Sequence, residues 1–346
     1  MAAAPFDPNA RGWTPEIEIK VDGKEVAGIF YSRLISATIR DEAGQSSDMC
    51  TIVLDDARNE LAVPREKARI EISLGFRETG LVDRGTYELQ NVEFEGGDDG
   101  ERLILQGKAA DLRRKLKGSG RKAYENTTLG EVARDIARGQ GMTALVDRDL
   151  DGIRIAFEPR IDQSDIDFLT RLGDEFGAVV KPAGDKLVVA KRGSRKTVSG
   201  LDLPLIVIRK DECISWQIAP DGRTAYGKVK AHWVDQKTGK RRFEAYETGL
   251  DGPDYILPEA LPDQDRAMRA AEAEGMRLTS CTGNGSFRLY GRPDAQAEAL
   301  VQAVGFRDGI AGLWRAEAVE DVFDEDGYTT TVQVTALEKG GGQAKE

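Results

Sequence analysis

Three thiols, one imidazole and many carboxylates are the groups in this sequence with chemistry to offer, and their spacing decides what they can do. Cys50, Cys213 and Cys281 lie far apart and form no Cys-x-x-Cys pair. An odd, scattered set reads as reduced thiols from a cytosolic maturation environment, buried and inert rather than redox-active or metal-binding. His232 is the single histidine and has no ligand-spaced neighbours. Zinc sites and Ser-His-Asp triads need imidazoles or thiolates in sets, so neither is expected. Glycosidic cleavage uses two carboxylates flanking the bond, but among 60 Asp and Glu a chance pair carries no information. Gly139-Gln-Gly141 and Gly283-Asn-Gly285 lack the surrounding pattern of a phosphate loop and read as turns. No catalytic residue, cofactor site or metal site is therefore assigned.

A net charge of -11 speaks against gripping duplex DNA or an anionic membrane, both of which depend on concentrated positive charge. Local basic runs remain at Arg113-Arg114-Lys115 with Lys117, Arg121 and Lys122, and at Lys191-Arg192 with Arg195-Lys196. They read as solvated turns between modules, with a polyanion site or an acidic neighbour as the competing readings. No helix-turn-helix or basic recognition helix supports a DNA-binding regulator. The N-terminus shows no signal-peptide pattern and no apolar run is long enough to cross a bilayer, so no membrane anchor is expected.

The elements that would position any site are mostly strands. Glu16–Val21 alternates and turns at Asp22-Gly23, and Leu34–Arg40 and Met49–Leu54 follow as strand candidates. In Ala68–Phe76 one face carries Ala68, Ile70, Ile72, Leu74 and Phe76, the other Arg69, Glu71 and Ser73. Tyr87–Gln90 and Val92–Glu95 continue the pattern, and Gly96–Gly100 turns the chain into Arg102–Gln106. Such spacing suggests a barrel or sandwich, and the lack of strand-helix alternation rules out a dinucleotide-binding fold.

The middle of the chain changes character. Thr128-Leu-Gly-Glu131 has the form of a capping box, followed by an apolar stripe of Leu129, Val132, Ala133, Ile136 and Ala137. A second amphipathic helix is expected within Ile161–Gly177, capped by Ser164 or Asp165, with Ile166, Leu169, Leu172 and Phe176 inward. Short strands at Ile153–Phe157 and Lys186–Lys191 complete an α+β module. From about residue 204 the β pattern returns, with strands at 205–208, 213–218 and 226–234, the last in a long hairpin to 242–247. A helix after Pro262-Asp263 would put Met268, Ala271, Gly275 and Leu278 on one side, and strands at 313–323 and 328–335 close the chain. The expected fold class is α+β, mainly β. The divisions are 1–110, a first β-barrel; 111–200, the α+β module; 201–337, a second barrel with a helical insert; and 338–346, a disordered tail. The order β-rich, α+β, β-rich hints at a duplicated barrel, although no residue-by-residue repeat joins the halves.

Several segments, taken in order, resemble the late control D family of contractile-phage tail hub proteins, related to the hub half of VgrG. They are Arg33–Asp41, Asp48–Asp56 and Gly107–Leu112 early; Thr128–Ala137, Gln163–Leu172 and Phe176–Lys181 in the middle; Gly305–Arg315 and Gly327–Val332 late. The resemblance spans about residues 13 to 337 and rests on order and spacing rather than on one motif. It places a strand at Ala299–Val304, where the composition of Asp294–Ala303 reads as helical.

That resemblance implies a non-enzymatic structural protein. Two tail-tube-like barrels per subunit would let a homotrimer form a ring of six, meeting the six-fold tail tube protein on one side and the trimeric spike protein on the other. Other baseplate and tape-measure proteins would be neighbours, and DNA would pass without sequence-specific binding. The place would be the virion tail baseplate, assembled in the bacterial host cytoplasm. Subunit contacts of an obligate assembly, roughly 2,000 Å² or more, are expected, with no interface residues assigned. Carboxylates lining the channel would repel the phosphate backbone. A type VI secretion spike hub is the runner-up, and a tail-tip cell-wall hydrolase the competing class.

Overall fold

The computed structural model describes residues 12–26, 28–43, 48–57, 59, 61–98, 100–109, 119–183, 186–191, 205–220, 226–235, 237–280, 283–307 and 309–337. Arg113, Arg114, Lys115, Lys117, Arg192, Arg195, Lys196, Cys281 and the expected tail 338–346 lie outside them. The fold is α+β and mainly β. It forms two compact units: Met1–Asp111 with Pro204–Ile218 and Gly285–Val334, and Leu112–Leu203 with Ala219–Asn284 and Thr335–Glu346.

In chain order the first unit begins with β1 (Pro15–Val21), β2 (Lys24–Glu25), a short helix α1 (Gly28–Tyr31), β3 (Leu34–Glu42), β4 (Met49–Asp55), β5 (Arg69–Phe76), β6 (Gly80–Gly97) and β7 (Gly100–Ala109). The expected alternation on β5 holds: Ile70, Ile72 and Leu74 are fully buried, and they pack with Ile19, Ile39, Ile52, Tyr87, Leu103 and Leu105 in one core. The two strands expected at 87–90 and 92–95 are one long strand, β6, irregular between Leu89 and Asn91 where its pairing to β7 shifts register. A bulge of this kind bends a strand without ending it.

The second unit opens with β8 (Ser119–Thr128), α2 (Leu129–Gly139), β9 (Thr143–Val146), α3 (Arg148–Asp151), β10 (Arg154–Ser164), α4 (Asp165–Glu175), β11 (Ala178–Ala183) and β12 (Lys186–Lys191). The capping box at Thr128 and Glu131 is formed, and all five residues of the expected stripe are buried. Ile161–Ser164 belongs to β10 rather than to the helix that follows, and Ser164 is the cap, its Oγ accepting from the Asp167 N–H at 3.1 Å. Leu169, Leu172 and Phe176 are buried as expected, but the fully buried partner is Phe168, with Ile166 only half-buried. Phe168 stacks on Tyr124 of β8, a neighbour that helical spacing cannot reveal.

The chain then adds β13 (Leu205–Arg209) and β14 (Cys213–Pro220), β15 (Lys228–Asp235), β16 (Lys240–Glu247), β17 (Asp254–Leu261), α5 (Gln264–Ser280), β18 (Gly283–Tyr290), β19 (Leu300–Val304), β20 (Gly312–Asp324) and β21 (Gly327–Ala336). The strand at 300–304 follows the resemblance, not the helical composition. β15 to β17 form a three-stranded sheet covered by α5, and they group with the second unit instead of with β13, β14 and β18 to β21. Of the residues expected inward on α5, Ala271 and Gly275 are buried and Leu278 half-buried, whereas Met268 is exposed; Arg266, Ala267, Ala270, Ala273 and Thr279 complete the buried side.

In the first unit one sheet runs β14-β18-β21-β20-β3-β4-β7-β6-β5-β1-β2, with β19 also on β20 and β13 on β19. Its two halves repeat. Taking strands in chain order, β3, β4, β5, β6 and β7 pair as β3-β4-β7-β6-β5, and β14, β18, β19, β20 and β21 pair as β14-β18-β21-β20-β19. Each half ends in a glycine with positive φ that closes its last hairpin, Gly100 at 102° and Gly327 at 112°. The outermost strands differ, since β1 is antiparallel to β5 and β13 parallel to β19.

Candidate assembly surfaces

Among the described residues no group of three or more His, Cys, Asp or Glu could hold a metal ion. Cys50 is buried and free, its thiol pushed up to about 12 by burial. Cys213 is half-buried and pushed up to about 11 by burial and the neighbouring Glu212 and Asp211. Both are poor nucleophiles, since the thiolate is the reactive form. His232 is buried beside Phe243. Two members of the basic run, Arg121 and Lys122, stand on β8 instead of in a turn. Arg121 is bidentate to Asp162 at 2.8 and 2.7 Å, and Lys122 meets Asp135 at 2.5 Å. Exposed pairs of this kind contribute little stability, but they use up the positive charge a polyanion would seek.

Two buried polar clusters escaped the sequence reading because their members are far apart in the chain. In the first unit Arg84 of β6 is ion-paired with Asp321 of β20, and both side chains are almost completely buried. Tyr328 Oη and Thr330 Oγ1 donate to Asp321 Oδ1 at 3.0 and 2.6 Å, and Arg84 Nη1 donates to the Ala295 carbonyl at 2.9 Å. Burial pushes the Asp321 carboxyl up, opposed by Arg84, Thr330 and Tyr328. In the second unit Arg266 donates to Glu175 through Nε and Nη2, both at 2.5 Å, and to Glu158 through Nη1 at 2.9 Å. Arg171 adds a further bond to Glu158 at 2.7 Å. This ties α5 to α4 and β10. Each charge in these clusters faces an opposite charge, which suits a structural lock.

The first unit presents open strand edges. Glu88 of β6 pairs with Arg69 of β5 on one side and Lys108 of β7 on the other, so β5 and β7 lie on opposite edges. β5 ends there. From Gln90 to Gly97 the β5-side edge carries no strand among the described residues, and Phe94 is 64% exposed. The corresponding end of β20, Ala318–Asp324, is covered by β3. At the far end of the sheet β14 pairs, among the described residues, only with β18, leaving a second open edge that exposes Ile214 and Trp216. Open edges with exposed apolar side chains are templates for pairing with another chain.

No protein-family model matches the chain. The probable baseplate hub proteins of Escherichia phages 186 and P2 are each 27% identical over 361 residues, covering 92% and 93% of this chain and the same shares of their own lengths. Over nearly its full length the chain is similar to phage baseplate hub proteins. The 43 kDa tail protein of prophage MuSo2 from Shewanella oneidensis shares the fold, with a TM-score of 0.67 at 13% identity over 93% of this chain and 98% of that one. A PdpA-VgrG complex from Francisella aligns with a TM-score of 0.55 at 10% identity over 97% of this chain and 60% of that one. The resemblance to hub proteins and to VgrG noted from sequence therefore holds.

Proposed function

We propose that the protein is the structural hub of a contractile-phage baseplate, a homotrimeric ring that joins the tail tube to the spike and lets DNA pass. The observation that carries this reading is the similarity to two phage hub proteins along almost the whole of both chains. The repeated half-sheet supplies a physical means. Two equivalent halves per copy let three copies present six similar faces to a six-fold tube while keeping three-fold symmetry toward a spike. The work is done by interfaces, and no reaction is performed. The tube protein, the spike protein and other baseplate and tape-measure proteins are the partners, and the virion baseplate the site of action, after assembly in the host cytoplasm.

The acidic balance fits a channel that repels phosphate; a positive lumen in the assembled ring would contradict that part. A type VI spike hub is the weaker reading, because the VgrG complex is 10% identical, a likeness of fold alone, whereas the two phage hub proteins are 27% identical along nearly the whole chain. The test is negative-stain imaging of the purified protein, alone and mixed with its tube protein. Rings of tube width that stack on tube ends are expected. Peptidoglycan cleavage, or particles that ignore the tube, would overturn the reading.

A further inference from the structure

The repeat allows the missing partner of β6 to be read from its own sequence. Matching the two hairpin turns, Gly97–Gly100 on Asp324–Gly327, puts Phe94 at the position of Asp321, Glu95 at Val322 and Gly96 at Phe323. An independent mark supports the alignment: it superposes Tyr87 on Trp314. Tyr87 Oη donates to the Arg84 carbonyl at 2.6 Å and faces Ile70 of β5, whereas Trp314 Nε1 donates to the Ile310 carbonyl at 2.8 Å and faces Val301 of β19. β3 and β14 also align without a gap. Leu34-Ile-Ser-Ala-Thr-Ile-Arg40 lies over Cys213-Ile-Ser-Trp-Gln-Ile-Ala219, with Ile, Ser and Ile identical and Trp216 at the place of Ala37.

Within one copy β3 lies antiparallel on the end of β20, with Ala37 opposite Phe323, Thr38 opposite Val322 and Ile39 opposite Asp321. β14 is the counterpart of β3, and the bare end of β6 is the counterpart of the end of β20. We propose that β14 of one copy pairs antiparallel with the bare end of β6 of a second copy, placing Trp216 opposite Gly96, Gln217 opposite Glu95 and Ile218 opposite Phe94. This rests on the ring reading above and names the contact that closes it. Size complementarity argues for the register. The internal junction sets a small residue, Ala37, against a large one, Phe323; the proposed junction sets a large one, Trp216, against glycine. Trp216 is held for this role by an edge-on contact with Phe306 at 5.5 Å, yet remains 39% exposed. The contact is heterologous, each copy giving β14 to one neighbour and β6 to another, and a rotation of one third of a turn between copies closes it into a ring of three.

The experiment measures self-association of the full chain by native mass spectrometry and sedimentation. A Cβ on Gly96 meets only the Glu101 Cγ at 3.7 Å, an ordinary contact, so Gly96→Val leaves the single copy folded. It should nevertheless weaken association about tenfold or more, because the valine occupies the space meant for Trp216. Adding Trp216→Ala should restore part of the loss. Glu95→Cys with Gln217→Cys, treated with oxidised glutathione, should join copies through a disulfide. Two thiols are oxidised and one glutathione disulfide is reduced to two thiols, and neither single variant should give that link. Wild-type protein that stays monomeric, Gly96→Val that associates normally, or an oligomer that never forms the disulfide overturns the pairing. Should Gly96→Val misfold, the disulfide decides. A ring that binds tube protein but ignores these changes removes the pairing and keeps the hub reading. A Gly96-sensitive oligomer that ignores the tube does the reverse.

Discussion

The ends of β20 and β6 are counterparts in a repeated half-sheet, placed in opposite surroundings. Along β20, Ala318, Val319 and Asp321 are buried beneath β3, and Asp321 is held by Arg84, Tyr328 and Thr330. Around that junction Arg40 of β3 reaches Glu320 at 3.2 Å and Gln333 at 3.2 Å, and the Asp41 carboxylate accepts from the Ala297 N–H at 2.9 Å. Along β6, Asn91, Glu93, Phe94, Glu95 and Gly96 are exposed. A junction made once during folding can use buried ion pairs, whose matched geometry specifies one partner. A junction made between finished copies must leave its edges soluble beforehand. Glu93 and Glu95 flanking Phe94 serve that need, as charges on an open edge discourage indiscriminate pairing.

Breaking the covered side should have the largest effect. Asp321→Ala leaves Arg84 buried without its counter-charge and should cost about 3–5 kcal/mol in chemical unfolding. Phe94→Ala at the equivalent place should change unfolding of the isolated chain by no more than ~0.5 kcal/mol while weakening association. Phe323→Ala, at a half-buried position packed against the core, should cost about 2 kcal/mol. Thr128→Ala removes the capping box of α2, touches neither strand end, and should cost about 1 kcal/mol with oligomer state unchanged. The smallest effect is on thiol reactivity. With their pKa values raised to about 12 and about 11, Cys50 and Cys213 are mainly neutral at pH 8, so native alkylation followed by peptide mapping should leave Cys50 unmodified and Cys213 slow. Assembly should slow Cys213 further and leave Cys50 as it was.

Local rules carried the sequence reading where structure is locally determined. The capping box at Thr128, the stripe from Leu129 to Ala137 and the alternation of β5 needed only neighbours within a few residues. The start of α5 was equally legible: the Asp263 carboxylate accepts from the Arg266 N–H at 2.9 Å. Arg84 with Asp321, and Arg266 with Glu158 and Glu175, were not legible, since no spacing rule links charges that only the fold brings together. The repeat stayed hidden for two reasons. The segment from β15 to α5 separates β14 from β18, so the second half has a different spacing from the first. What the halves share is strand order and a few residues, such as Ile35 with Ile214, Ile39 with Ile218 and Gly100 with Gly327, and Ala37 and Phe323 are replaced by a complementary pair rather than a similar one. The bare edge of β6 could not be seen until its covered counterpart was.

Hydrogen exchange of the full chain, followed by mass spectrometry across a concentration series that spans assembly, tests the central claim most directly. Residues 36–42 and 318–324 should be protected at every concentration. The amides of 90–97 and 213–218 that face the open edges, not those bonded to β7 and β18, should exchange quickly in the dilute chain and become protected together as copies associate. Association that leaves both of those segments as fast as before would contradict the account.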